Sequence, residues 1–184
     1  MELINSFAVV AYVCDPVAKF VDSLRRELTP GCCHRAHVTV LPPRPLWIPT
    51  DDGIEKARSI LASFEPFELA VDGVTTFEST HVVKLSLKKG LSELYTLHDI
   101  LNTGPFERSE EYNYVPHITL CHDLSDKECE SHYEVARKRF AEFAPPSIWI
   151  DTLTFVQQKS NGNWADLADL ALGMGKHAPV RVRR

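Results

Sequence analysis

The chain has 184 residues, a formal net charge of −5 and 44% hydrophobic residues. That length suits one compact domain or two small lobes, and that apolar content excludes a disordered chain. The acidic balance excludes a protein that coats nucleic acid through overall charge, so any such contact has to be local.

Ser6 to Cys14 is apolar on both faces and predicts a central strand covered on both sides. Asp15-Pro16 supplies an N-cap and a first helical residue, and Val17, Phe20, Val21, Leu24 and Leu28 follow at helical spacing. Thr29-Pro30-Gly31 ends that helix. His37-Val38-Thr39-Val40 predicts a strand that Pro42, Pro43 and Pro45 terminate. A second helix begins near Thr50–Asp52 and buries Ile54, Ala57, Leu61 and Phe64. Strands are expected from Phe67 toward Phe77 and from His81 to Leu87, the latter with Val83, Leu85 and Leu87 on one face.

The order then restarts. A helix from about Leu91 carries Leu94, Leu97, His98 and Leu101 on one stripe, and His117-Ile118-Thr119-Leu120 repeats the earlier strand. Ser125 and Glu128 form a capping-box pattern at the start of a helix through Ala136 and Phe140. Ile148 to Gln157 reads as one strand, and the Asn161-Gly162 turn returns the chain as a hairpin from Trp164 to Leu172. Strand, helix, His-x-Thr strand, helix, strand thus occurs twice, with the key histidines 80 positions apart. The economical packing is two α+β lobes about an approximate twofold axis, each an antiparallel sheet with helices outside, facing a central cleft.

Strand alternation puts His37 with Thr39, and His117 with Thr119, on the open faces. Two imidazoles across a cleft suit a reaction that removes a proton on one side and donates one on the other, each worth about 10²–10⁴-fold in rate. The two hydroxyls could hold the oxygens of a tetrahedral anion, which favours a phosphodiester over a neutral ester. No GxSxG elbow and no HExxH is present, so neither a serine triad nor metal-assisted hydrolysis has support. The five cysteines include the adjacent Cys32-Cys33 and no CxxC, so no disulfide framework and no zinc site is expected. No signal peptide or bilayer-length apolar run is evident, and a cytoplasmic protein without a membrane partner is expected.

The two motifs, in the contexts AHVTVLPPRPL and YVPHITLCH, resemble those of the 2H phosphoesterase superfamily. The nearest group is the 2′-5′ RNA ligase-like (LigT-like) proteins and cyclic phosphodiesterases, and the Asn-Gly hairpin with Trp164 fits its usual ending. The resemblance implies the bilobal, pseudo-twofold α+β fold as a single domain over 1–175, with a basic tail at 176–184. It also implies catalysis without metal or organic cofactor, acting on 2′,3′-cyclic phosphates or on 2′-5′ RNA linkages. His37 and His117 take the acid and base roles, with His117 assigned to water and His37 to the leaving oxygen, and the pseudo-symmetry leaves the reverse open.

Thr39 and Thr119 would hold the phosphate. Many relatives carry Arg or Lys just after the second motif, where this chain has Cys121-His122. His122 and, from the cleft rim, Arg44 are carried as candidate substrate contacts, and Tyr114 as a candidate stacking residue. The expected partner is a cyclic nucleotide or RNA-terminal phosphate, with RNA as a wider possibility, bound to a monomer. A 2′-5′ ligase on the same residues and a non-catalytic nucleotide or RNA binder are the alternatives.

Overall fold

The structure is a computed structural model that describes residues 2–32, 34–77 and 79–173; the basic tail lies outside the described residues. Eight strands form two antiparallel sheets of four, in the orders β2-β1-β7-β8 and β5-β4-β3-β6. In the first, β1 (Leu3–Tyr12) lies between β2 (His37–Arg44) and β7 (Thr152–Lys159), and β8 (Trp164–Ala171) closes the far edge. In the second, β4 (Val82–Lys89) lies between β5 (Ile118–Cys121) and β3 (Phe67–Phe77), and β6 (Ile148–Ile150) closes the far edge. The internal repeat is therefore real in space, because each His-x-Thr strand is the edge neighbour of a central strand.

The α-helices among the described residues are α1 (Val17–Leu28), α2 (Thr50–Leu61), α3 (Leu91–Leu101) and α4 (Asp126–Ala141). α1, which follows β1, packs on β5 of the other sheet, and α3, which follows β4, packs on β2. This exchange interlocks the halves and leaves one continuous core, with Val9, Val38, Leu85, Ile118 and Phe155 all fully buried. A small separate cluster of Ala8, Val10 and Val156 lies on the opposite face of the first sheet, with Tyr12 and Trp164 beside it. All cysteines among the described residues are free, and no helix among them is long and apolar enough to cross a membrane.

Three local expectations change. Pro42 and Pro43 do not end β2, which runs through them to Arg44 and stops just before Pro45. They fall where the β1–β2 register slips between Val9↔Leu41 and Phe7↔Arg44, a bulge on an edge strand, where a missing N–H is tolerated. Ile148 to Gln157 is not one strand. β6 pairs with β3 in one sheet, and after Asp151 the chain continues as β7, paired with β1 in the other. The burial phase slips there, from Ile148 and Ile150 to Leu153 and Phe155. Finally, Asp15 does not cap α1: its carboxylate pairs with Lys19 at 2.9 Å, and Pro16 occupies the cap position with no side-chain bond.

The capping box at α4 forms as expected, with Ser125 accepting from the Glu128 N–H and the Glu128 carboxylate accepting from the Ser125 N–H. Ser125→Ala should cost about 1 kcal/mol of stability, read as a lowered urea midpoint at unchanged slope. An unchanged midpoint would show that the box adds nothing to this helix.

Candidate active site

The burial of the motif strands follows the alternation of the sequence. Val38, Val40 and Ile118 are fully buried and Leu120 nearly so, while His37, Thr39, His117 and Thr119 are half-buried on the other face. Tyr12 pairs with His37 and Val10 with Thr39 across β1–β2, and Lys84 pairs with Thr119 across β4–β5. The two edge strands approach each other directly. A cavity of about 720 Å³ opens on the His37 side and one of about 920 Å³ on the His117 side. Thr39, Thr119, Pro43 and His122 line both, so the two hydroxyls sit where the cavities meet.

Each imidazole is held in the same way. His37 Nδ1 lies 2.7 Å from the Arg35 carbonyl, and His117 Nδ1 lies 2.7 Å from the Val115 carbonyl. A carbonyl only accepts, so Nδ1–H donates in both, and each neutral ring carries its bare nitrogen at Nε2. The Thr119 hydroxyl donates to His117 Nε2 at 3.1 Å. Aromatic edges fix the rings further: Tyr12 stands nearly perpendicular to His37 at 6.2 Å, and Phe77 to His117 at 5.0 Å.

Both rings are biased toward the neutral form. Burial pushes His37 down to about 4, against the Arg35 carbonyl bond, with Arg25, His34 and His117 adding to the fall. His117 is also lowered, first by burial and then by Lys84, with its bond to Val115 opposing. Desolvation and nearby positive charge act in the same direction on an imidazolium.

The strands are gripped from opposite halves. Arg25 of α1 is 4% exposed. Its Nε and one terminal nitrogen donate to the Thr119 carbonyl at 2.9 and 2.5 Å, and the other terminal nitrogen donates to the carbonyls of His34 and Arg35, each at 3.0 Å. Tyr114 returns the grip by donating its hydroxyl to the Thr39 carbonyl at 2.9 Å.

All seven residues carried from the sequence line one or both cavities, with Arg44 and Tyr114 in the wall of the larger one. His122 follows the end of β5, so strand alternation does not bind it. It is exposed at the mouth and lines both cavities, with Nδ1 2.6 Å from Asp123. Arg44 is not a free cation on the rim. It is 2% exposed, paired with Glu110 and bonded to Asn102 at 2.6 Å and to the Phe106 carbonyl at 2.9 Å, so its charge and donors serve the loop that carries Tyr114. Tyr114 offers no free ring for a base: it stacks on His98 at 4.1 Å, with Tyr95 edge-on.

At the His37 wall, Arg35 lies 3.6 Å over the Tyr12 ring and pairs with Asp166, which also accepts from the Tyr12 hydroxyl. Cys121 is buried beside Cys129 and its thiol is pushed up to about 11, chiefly by burial, so it is no nucleophile.

The sequence reading missed two residues, Arg25 and Lys84, and both had a signal. Arg25 falls on the Val21–Leu24–Leu28 stripe of α1, where a charge is out of place. Lys84 alternates with Val83 and Leu85, which puts it on the open face of β4. No cluster of three His, Cys, Asp or Glu placed to hold a metal occurs among the described residues.

Comparison with known proteins bears on this cleft. The family model described as the 2′-5′ RNA ligase superfamily matches residues 13–162. A provisionally named phosphoesterase of Halalkalibacterium halodurans is 27% identical over 179 residues, covering 91% of this chain and 98% of its own. Another from Bacillus anthracis is 30% identical over 125 residues, covering 67% and 70%. Among solved structures, E. coli LigT in its apo form superposes with a TM-score of 0.62 at 19% identity, covering 93% of this chain and 99% of its own. LigT complexed with 3′-AMP gives 0.60 at 20% identity.

The depressed His37 makes stability depend on pH with a definite sign. The unfolded chain takes up this proton near 6.5 and the folded one only near 4. The contribution of this group is therefore complete above about 6.5 and is lost as pH falls through that window toward 4. An NMR titration should find the His37 midpoint well below that of an exposed histidine; a midpoint above 6 contradicts the burial assigned to it.

Proposed function

The chain belongs to the 2′-5′ RNA ligase superfamily, and from that membership we propose a phosphodiesterase that opens 2′,3′-cyclic phosphates of nucleotides or RNA ends without a metal or organic cofactor. The observation that carries this reading is the matched pair of imidazoles. Each is tied through Nδ1 to the carbonyl two residues back and leaves Nε2 bare. The threonine hydroxyls lie between them; the buried Arg25 lines the smaller cavity, and the buried Lys84 pairs with Thr119 across β4–β5 and acts on His117 through space.

In the proposed reaction a phosphate sits at Thr39 and Thr119. One imidazole takes a proton from water through Nε2 as the water oxygen bonds to phosphorus. The bond to the 3′-oxygen breaks, and the other imidazole, in its protonated form, gives that oxygen a proton. The product is a 2′-phosphate. Both rings favour the neutral state in the free protein, so the acid has to gain its proton when the anion arrives. A bound phosphate offsets the positive surroundings and raises the imidazole that faces it. Binding of a 2′-phosphate should therefore take up a proton and weaken as pH rises, as calorimetry in buffers of different ionisation enthalpy would read.

The space on both sides of the hydroxyl pair favours a second reading on the same residues. Cavities of about 720 and 920 Å³ leave room for a nucleoside on each side of a central phosphorus, as a 2′-5′ linkage requires. The E. coli LigT complex with 3′-AMP supports a nucleotide as occupant.

The test is a panel of nucleoside 2′,3′-cyclic phosphates and 2′-5′ dinucleotides, assayed with EDTA present. His37→Ala and His117→Ala should each lower kcat by about 10²–10⁴-fold while the protein stays folded. Full turnover in either folded variant would refute the two-histidine mechanism. Turnover of the dinucleotides alone would select the second reading.

A further inference from the structure

Both halves bury a cation beside their motif, but by different routes. Arg25 reaches in from a helix and gives its donors to backbone carbonyls. Lys84 belongs to the sheet itself. Register sets it opposite Thr119, where the first half has Val10 opposite Thr39. Directly opposed residues in an antiparallel pair share a face. Lys84 therefore stands on the cleft face with His117 and Thr119, while Val83 and Leu85 go to the core.

The residue is 6% exposed, yet its ammonium has a single hydrogen bond among the described residues, to Thr75 Oγ1 at 2.9 Å. It also rests 4.2 Å from the centroid of the Phe77 ring. Phe77 lines the larger cavity and stands edge-on to His117. No carboxylate among the described residues pairs with Lys84. An ammonium carries three donors, and burying it without a counter-charge opposes folding, which an apolar side chain of the same length would avoid. Perturbed, unpaired charges of this kind concentrate at functional sites.

We propose that Lys84 is the second fixed positive charge of the site, a positioning residue whose counter-ion is the phosphate held at Thr119 and His117. The identity of that anion rests on the phosphoester reading above; the placement of the charge does not. Lys84 acts across the Phe77 ring and holds the anion on the His117 side, while the Arg25 charge lies on the His37 side. The charged and titratable groups around His117 are Lys84 from β4, His37 from β2 and His122 at the mouth of both cavities, with Arg44 of β2 and Arg108, Glu110, Glu111, Tyr112 and Tyr114 of the loop before β5 lining the same cavity.

Lys84→Gln and Lys84→Met remove the charge, the former keeping a polar group toward Thr75. Binding of inorganic phosphate, read by calorimetry, should weaken about ten-fold in both. The NMR midpoint of His117 should rise, because a neighbouring positive charge has gone. The thermal midpoint should hold or increase, as expected when an unpaired buried charge is removed. Lys84→Arg should recover most of the phosphate affinity.

Unchanged phosphate affinity in folded Lys84→Gln overturns the proposal, and so does a loss that Lys84→Arg fails to restore. Unfolding of both neutral variants assigns the ammonium to the fold and overturns it as well. Phosphate binding is read without turnover. A failure to hydrolyse any cyclic phosphate would therefore remove the proposed reaction and leave the role of Lys84 to the affinity ratio alone.

Discussion

One buried guanidinium fixes how the two halves of this molecule meet. Arg25 leaves α1 of the first half, crosses beneath the cleft and binds the carbonyl of Thr119 twice, in the second half's motif. Its remaining bonds go to the carbonyls of His34 and Arg35. The Arg35 carbonyl is also the group that orients His37 through Nδ1. A single side chain thus joins the backbone of one motif to the orienting carbonyl of the other. A guanidinium suits this task because it is planar, stays charged and presents a rigid fork of donors. Edge strands leave carbonyls unpaired, and here those carbonyls become the attachment points across the interface. Tyr114 makes the reciprocal bond to Thr39, so neither motif is positioned by its own sheet alone.

The electrostatics follow from the same arrangement. Among the described residues no carboxylate hydrogen-bonds Arg25, and Asp22, one turn back on α1, acts on it through space. Every bond it makes uses an uncharged oxygen, so its charge stays available to the cleft. In a chain with a net charge of −5, two buried cations beside two histidines create a local field of the opposite sign. That field adds to the burial that keeps the imidazoles neutral, and it disposes the cleft toward an anion. In the proposed reaction a phosphate would supply the negative charge that lets one imidazole hold a proton. Fold and proposed chemistry are linked at this point, because the cations that raise the cost of folding are those that would favour such a ligand.

Much of this was legible in the sequence wherever a local rule acted alone. The alternation in His37–Val40 and His117–Leu120 gave the correct faces, since Val38, Val40, Ile118 and Leu120 had nowhere to go but the core. The Asn161-Gly162 turn formed for its own backbone reasons, with Gly162 at φ +85°, and the Ser125–Glu128 box formed from its own side chains. Asp15 is a different case, since two local rules competed there and the pair with Lys19, four residues on, won over the helix end. Where tertiary pairing decided, the sequence was silent. Arg44 looked like a rim cation because its partners, Asn102, Phe106 and Glu110, lie about 60 positions away. Arg25 was hidden because its partners are carbonyls, which every residue has.

The departure at the second motif shows how a duplicated fold can lose its symmetry without losing its site. β5 ends in Cys121, a buried thiol, and continues into His122, whose Nδ1 faces Asp123. That end of the strand holds no fixed positive charge. The neighbouring strand carries one, Lys84, at the register position where the first half has Val10. The consequence extends to the shape of the two cavities. On the His37 side, Ala8, Val10 and Val156 form an apolar floor between Tyr12 and Trp164. On the His117 side, the lysine at the corresponding position is capped by Phe77, whose ring shields it from water and orients the catalytic candidate beside it. Two halves built on one plan thus present unlike surfaces to the two sides of the cleft. Such a site can tell one substituent from the other even though its histidines and threonines are arranged almost as mirror roles.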